Sequence, residues 1–412
     1  MSFPVRSGTP GPLRCGRRTA PDHPDRAAHL RRSRLFGLPP RRFDPEVWWL
    51  YLLSRAGIWI VAYCTRWLFP ADAGARDAGP VLGPFQHWDW DFYLKIARDG
   101  YFPGFVGPWQ VDWDNREAFL PGLPLLLRAT HEVVPNWTLS GLLISFVAGA
   151  VAVFSLARIA ELQLPDPRIG RRTVLFFVLS PCAIFLFVGY TESLFLAFAL
   201  PAWLAAQRRN WPLAAALAAL ASTVRISGLF LAAAIALHFA LVTRGRRWRA
   251  APWLALPVLP LAGYTWYLQV HTGDWMAWQH AQERGWGRTF HAPWQAWTNT
   301  WHAAFAHTQT TQFAFMFSGE LLAMLVGLVV TGLLVARRRW PEAAYVGLSL
   351  CALGTSYWYL SIPRASLLWW PLWVGLAAAS LRMPRVRTGY LCLVVPLSTI
   401  FAVSFLSGRW AG

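Results

Sequence analysis

The sequence predicts an all-α polytopic membrane protein, and three observations carry that prediction. Of its 412 residues 55% are hydrophobic, with 26 Trp and 26 Phe, a composition that soluble domains rarely reach. Apolar runs of about 18 or more residues recur, the length a membrane crossing needs. The connections between these runs are short and rich in Arg, the pattern that orients spanning helices. The net charge of +18 therefore belongs to topology, and no nucleic-acid partner is expected.

The elements follow in order. Residues 1–46 hold ten Arg and four acids among several Pro and Gly. They read as a basic, disordered tail kept on the cytoplasmic side. They lack the short apolar core and small-residue cleavage site of a signal peptide. Residues 47–412 form the transmembrane domain. Its first span, Val47–Leu68, exits to an external loop at 70–117 with eight acids against four bases. Residues 118–133 are short and broken by Pro, which makes them a re-entrant or interfacial piece. A span at 137–157 returns to Arg158, Arg168, Arg171 and Arg172. The next, at 173–189, exits at Gly189-Tyr190-Thr191-Glu192, and 193–206 returns to Arg208 and Arg209. Residues 211–243 are too long for one straight crossing and are interrupted at Ser222–Gly228. Two short crossings with Arg225 at the external turn satisfy the charge rule. Spans follow at 251–270, 318–336, 341–360, 365–381 and 388–407, with a second external loop at 271–317. The total is about eleven crossings.

The most informative stretch is Phe85–Tyr101, F-Q-H-W-D-W-D-F-Y-L-K-I-A-R-D-G-Y. It sets two carboxylates, Asp89 and Asp91, among Trp88, Trp90, Phe92 and Tyr93. An amphipathic interface helix that stops at Gly100 explains the rings; it does not explain why the acids lie between them. Three other signatures, Tyr190/Glu192, Arg225 and Arg364, also fall at external ends of apolar segments, although none of them orients the topology. A single Arg there is commonly a snorkelling anchor. Charges gathered on one face beside hydrocarbon point instead to a functional site.

Four of the five cysteines, Cys64, Cys182, Cys351 and Cys392, lie in apolar segments and Cys15 lies in the tail, so no disulfide framework is expected. The 271–317 loop carries five of the ten His and six Trp. Such Trp either stack on sugar rings or sit in the membrane interface. His271, His280 and His291 match no metal-ligand spacing, and neither a metal nor a cofactor is expected. No phosphate loop, dinucleotide fingerprint or hydrolase triad is present.

The residues also carry a resemblance. H-W-D-W-D-F-Y-L-K-I-A-R-D-G-Y followed by A-F-L-P-G-L-P-L resembles two signatures of the PIG-V family, W-D-x-x-x-[FY]-x-x-I-A-x-x-G-Y and A-F-F-P-x-x-P. Three further blocks resemble that family in the same order: L-S-P-C-A-I-F-L-F-V-G-Y-T-E-S-L-F at 179–195, T-V-R-I-S-G at 223–228 and S-I-P-R at 361–364. Two positions depart: no Asn precedes the Gly of the Arg225 block, and Ala365 stands where Tyr is common.

The resemblance implies a GT-C-type glycosyltransferase that takes a polyprenyl-phosphate sugar, mannose above all, and works on the extracytoplasmic face. It implies a prokaryotic cell membrane, or the endoplasmic reticulum in a eukaryote. Its partners would be the polyprenyl-phosphate donor, a lipid or glycan acceptor and the bilayer. Asp89 is the position that matches the family's catalytic acid. A carboxylate there can take the proton of an attacking sugar hydroxyl, and direct displacement would invert the anomeric centre. Asp91 either assists or is a first-turn helix acid. Arg225 and Arg364 are candidate ligands of the donor phosphate. Tyr190 and Glu192, with His87 and Trp88, are candidate sugar or acceptor contacts. Two rival readings are a flippase for a lipid-linked sugar, which should show internal repeats and midplane polar groups, and a GT-C enzyme with another donor sugar.

Overall fold

A computed structural model describes residues 44–69, 81–104, 114–243 and 245–411. Pro45–Gly412 forms one unit. The tail expectation for 1–46, and much of the 70–117 loop, fall outside the described residues. The described residues fold into helices, joined by turns and 3-10 segments, with no strand among them.

Sixteen α-helices follow in chain order: α1 Pro45–Leu68, α2 Asp89–Asp99, α3 Gly122–His131, α4 Trp137–Gln163, α5 Ile169–Val178, α6 Thr191–Gln207, α7 Trp211–Val224, α8 Ser227–Val242, α9 Leu259–Thr272, α10 Ala277–Trp286, α11 Pro293–Phe305, α12 Thr311–Ala336, α13 Trp340–Gly354, α14 Ile362–Ala365, α15 Trp370–Arg382 and α16 Pro384–Leu406. Four of them, α1, α4, α12 and α16, are long and apolar enough to cross a membrane. At 1.5 Å per residue the 27-residue α4 reaches about 40 Å.

The other apolar segments form shorter helices, and in two places proline is the reason. Pro181 follows Ser180 and divides the expected 173–189 span into α5 and a 3-10 turn, Ala183–Leu186. Pro252 and Pro257 remove backbone donors, so 245–258 winds as 3-10 before α9 begins. The 271–317 loop holds α10 and α11, and α12 starts at Thr311, ahead of the expected 318. The predicted break in 211–243 is present, with Arg225 and Ile226 between α7 and α8. A Cβ on Gly228 would lie 2.5 Å from the Ser222 backbone, so only glycine lets the chain turn back this tightly. Asn136 and Asn210 cap α4 and α7, accepting from the Leu139 and Leu213 N–H groups. The core runs through α4, α6 and α7 to α13 and α15, with Trp203, Trp369, Trp370 and Tyr190 fully buried.

Candidate active site

The site begins at the head of α2. Trp88, the residue before the helix, takes φ 57° and ψ −120°, a conformation costly for a bulky residue. Several contacts hold it there. The Trp88 indole N–H donates to the Arg409 carbonyl at 3.2 Å, and the Tyr190 hydroxyl donates to the His87 carbonyl at 2.7 Å. Trp90 is buried where α4 and the 189 turn come close: a Cβ on Gly141 or Gly189 would stand 2.6 or 2.5 Å from its ring. With the turn fixed, Asp89 and Asp91 diverge. Asp91 points outward and pairs with Lys95 one turn on, at 2.7 Å. Asp89 points inward.

There it meets Arg364. The Arg364 Nη1 donates to Asp89 Oδ2 at 2.7 Å and Nε donates to Glu192 Oε1 at 2.5 Å. Its guanidinium lies over the Phe185 and Tyr190 rings, 4.6 and 4.8 Å from their centroids, a cation–π clamp. Glu192, in the first turn of α6, is fully buried, and the helix N-terminus favours its charge. Its Oε1 also accepts from Arg225 at 2.7 Å, while Arg225 reaches Thr191 Oγ1 at 2.6 Å. Five of the predicted residues, Asp89, Tyr190, Glu192, Arg225 and Arg364, thus meet in one cluster. His87 contributes its carbonyl, and its ring packs edge-on against Phe405. Burial holds the His87 imidazole below its ordinary range. Trp88 is about half exposed.

Sequence reasoning missed two members. Glu320, buried in α12, accepts the Ser361 and Ile362 N–H groups, both at 2.7 Å. Ser361 is left-handed at φ 67°, so Glu320 fixes the strained turn that starts α14 and aims Arg364. A single acid inside an otherwise uncharged 26-residue apolar helix is a signal the sequence did contain. The second is Arg288, just after α10. It lies within electrostatic reach of Arg225, Asp89, Arg364 and Glu320, and burial followed by the neighbouring Arg225 pushes its guanidinium down to about 10. That guanidinium makes no hydrogen bond or ion pair among the described residues.

What the cluster lacks is as informative as what it pairs. Arg364 is occupied by carboxylates on two sides. Asp89 Oδ1 and Glu192 Oε2 have no hydrogen-bond partner among the described residues, and the latter is buried. An incoming hydroxyl can donate to either oxygen. Arg288 offers a free planar fork of donors, the geometry that suits a phosphate.

Residues 75–244 match the family model "Mannosyltransferase (PIG-V)". The mouse GPI alpha-1,6-mannosyltransferase 2 is 31% identical over 179 residues, 41% of this chain and 34% of that protein. The human enzyme of the same name is 34% identical over 159 residues, 36% of this chain and 30% of that protein. A GPI mannosyltransferase 2 from Yarrowia lipolytica is 27% identical over 142 residues, 34% of this chain and 37% of that protein. The chain thus spans about a third of the length of these relatives. Among solved structures, ArnT from Cupriavidus metallidurans bound to undecaprenyl phosphate aligns with a TM-score of 0.46 and 14% identity, over 83% of this chain and 62% of that one. Over residues 75–244, the stretch that supplies Asp89, Tyr190, Glu192 and Arg225, the chain is therefore similar to the PIG-V mannosyltransferases.

Proposed function

We propose that this protein is a membrane glycosyltransferase, specifically a mannosyltransferase of GT-C type, that transfers mannose from a polyprenyl phosphate to a lipid or glycan acceptor. The transfer takes place on the extracytoplasmic face and inverts the anomeric centre. The observation that carries the reading is the Asp89–Arg364–Glu192–Arg225 cluster, which joins four of the five motif stretches of the resemblance in one place.

Asp89 is the base. Arg364 holds Oδ2, which aims the carboxylate and leaves Oδ1 for the acceptor hydroxyl. As that hydroxyl attacks the anomeric carbon, its proton passes to Oδ1 and the bond to the phosphate oxygen breaks. The phosphate leaves with both bonding electrons, so Arg225 and Arg288 sit where negative charge grows. Arg364, held between two carboxylates, is a positioning residue. Glu192 Oε2 accepts from a sugar hydroxyl.

The test is Asp89→Asn at matched membrane expression, assayed with labelled polyprenyl-phosphomannose. Loss of a positioned base costs on the order of 10²–10⁴ in rate. Transfer near the parental rate would remove Asp89 from the chemistry.

A further inference from the structure

We propose that the far end of the helix bundle carries a separate binding site for an anionic phospholipid of the surrounding bilayer. The Asp89 cluster lies at the N-terminal end of α4, where Trp90 packs on Gly141. At the other end of α4, a turn away in sequence, α5 begins with Arg168, Arg171 and Arg172. These three and Arg387 of α16 form the polar wall of a cavity of about 370 Å³, in which Glu46 is the single acid. Trp49 and the leucines of α1 and α5 form its apolar wall.

The charges there are not balanced. Arg171 pairs with Glu46 at 2.6 Å, and Arg168 with Asp166 at 3.0 Å. Arg172 donates only to a hydroxyl, Ser380 Oγ at 3.3 Å, and lies within electrostatic reach of Arg387, Arg168 and Asp166, the last already paired with Arg168. Arg387 has no ion pair among the described residues. Two arginines therefore line the cavity without an ion pair of their own among the described residues, at a helix N-terminus that adds to the positive potential.

The shape selects the anion. Leu50, Leu53 and Leu175 also line a second cavity, of about 310 Å³, which continues between α1, α5 and α16 past Val61, Val178 and Val395. A soluble anion has no use for this apolar groove, and a neutral lipid has none for the arginines. A phosphodiester headgroup with an acyl chain satisfies both, as basic pockets between spanning helices do.

The experiment is native mass spectrometry of the full chain from mixed micelles holding equal dioleoyl phosphatidylglycerol and dioleoyl phosphatidylcholine, with undecaprenyl phosphate in a separate arm. The parent should retain phosphatidylglycerol over phosphatidylcholine by on the order of 10-fold, since each arginine near a lipid headgroup contributes about fivefold. Arg172→Gln/Arg387→Gln should abolish that preference. Arg337→Gln/Arg338→Gln, equal in charge change but outside the cavity, should keep it. If the cavity pair fails to fold, Arg387→Gln alone, exposed on α16, should lose about fivefold. An unchanged preference in the cavity variants would reduce these arginines to orientation charges. Retention of undecaprenyl phosphate without phosphatidylglycerol would overturn the choice of lipid. Neither outcome depends on the transferase reading.

Discussion

Glu192 and Glu117 are both fully buried and both held by arginine, but their surroundings differ. Around Glu117 the polar groups tie chain segments together. Arg284 reaches Glu117 Oε1 at 2.7 Å and Asn115 Oδ1 at 3.0 Å. The carbonyls of Glu117, Ala118 and Phe119 accept from Tyr264, Gln282 and Tyr101. This is a clasp that fastens the Arg116–Ala118 turn to α9 and α10. It also brings Trp286 against Phe92 and Phe119, two residues before Arg288, which lies within electrostatic reach of Asp89. Around Glu192, by contrast, Arg225 and Arg364 both donate to Oε1, Arg364 also holds Asp89, and Arg288 lies within electrostatic reach of the group. At Glu117 one arginine and a row of backbone carbonyls serve a structural joint, whereas at Glu192 two arginines converge on one carboxylate oxygen beside a second carboxylate, a concentration of charge that a joint does not need.

Three experiments break or sharpen this contrast. The largest effect comes from Glu192→Gln beside Glu117→Gln. Removing one charge of a buried pair typically costs about 3–5 kcal/mol, so both should lower the unfolding temperature measured in detergent. Only Glu192→Gln should also lower transfer per folded molecule, by at least about tenfold. Equal losses of turnover would erase the distinction between clasp and site. Next, Arg288→Gln should raise KM for the polyprenyl-phosphate donor by on the order of tenfold, since a charge-assisted contact contributes about 1.5–3 kcal/mol. Its melting temperature should hold or rise, because burial and Arg225 disfavour the charge and the guanidinium has no hydrogen-bond partner among the described residues to lose. A stability loss with unchanged donor KM would make Arg288 part of the clasp. The smallest effect is expected of Asp91→Asn. Its exposed pair with Lys95 contributes about 0.3–0.5 kcal/mol, and transfer should stay within twofold or so of the parent. A hundredfold loss would return Asp91 to the reaction.

Much of the site was legible because each member sits in a short, unusual string beside an apolar segment. Asp89, Glu192, Arg225 and Arg364 could be named without knowing that they touch. The pairing was not legible, because 275 residues separate Asp89 from Arg364 and no local periodicity spans that distance. Asp91 looked equivalent to Asp89 in sequence; only the fixed backbone at Trp88 sends the two in opposite directions. Arg288 carried no local signal, since what singles it out is the set of distant charges around it. The all-helical fold followed from hydropathy, whereas the helix lengths did not. Pro181, Pro252 and Pro257 act on backbone hydrogen bonds that an average over apolar residues does not register.

The spacing of the ion pairs has a consequence for biogenesis. Glu192 is made 172 residues before Arg364, and an unpaired carboxylate beside hydrocarbon is expensive. Arg225 follows Glu192 by only 33 residues, so the growing chain can neutralise its own charge early. Asp89 has no such early partner in the cluster. At about 5–20 residues per second, roughly 15–55 s pass between synthesis of Asp89 and synthesis of Arg364. Through that interval the nascent protein holds its α2 carboxylate unanchored. The arrival of the Ser361 turn, clamped by Glu320, brings in the guanidinium that anchors Asp89, with α15, α16 and the Arg409 carbonyl that holds Trp88 still to follow.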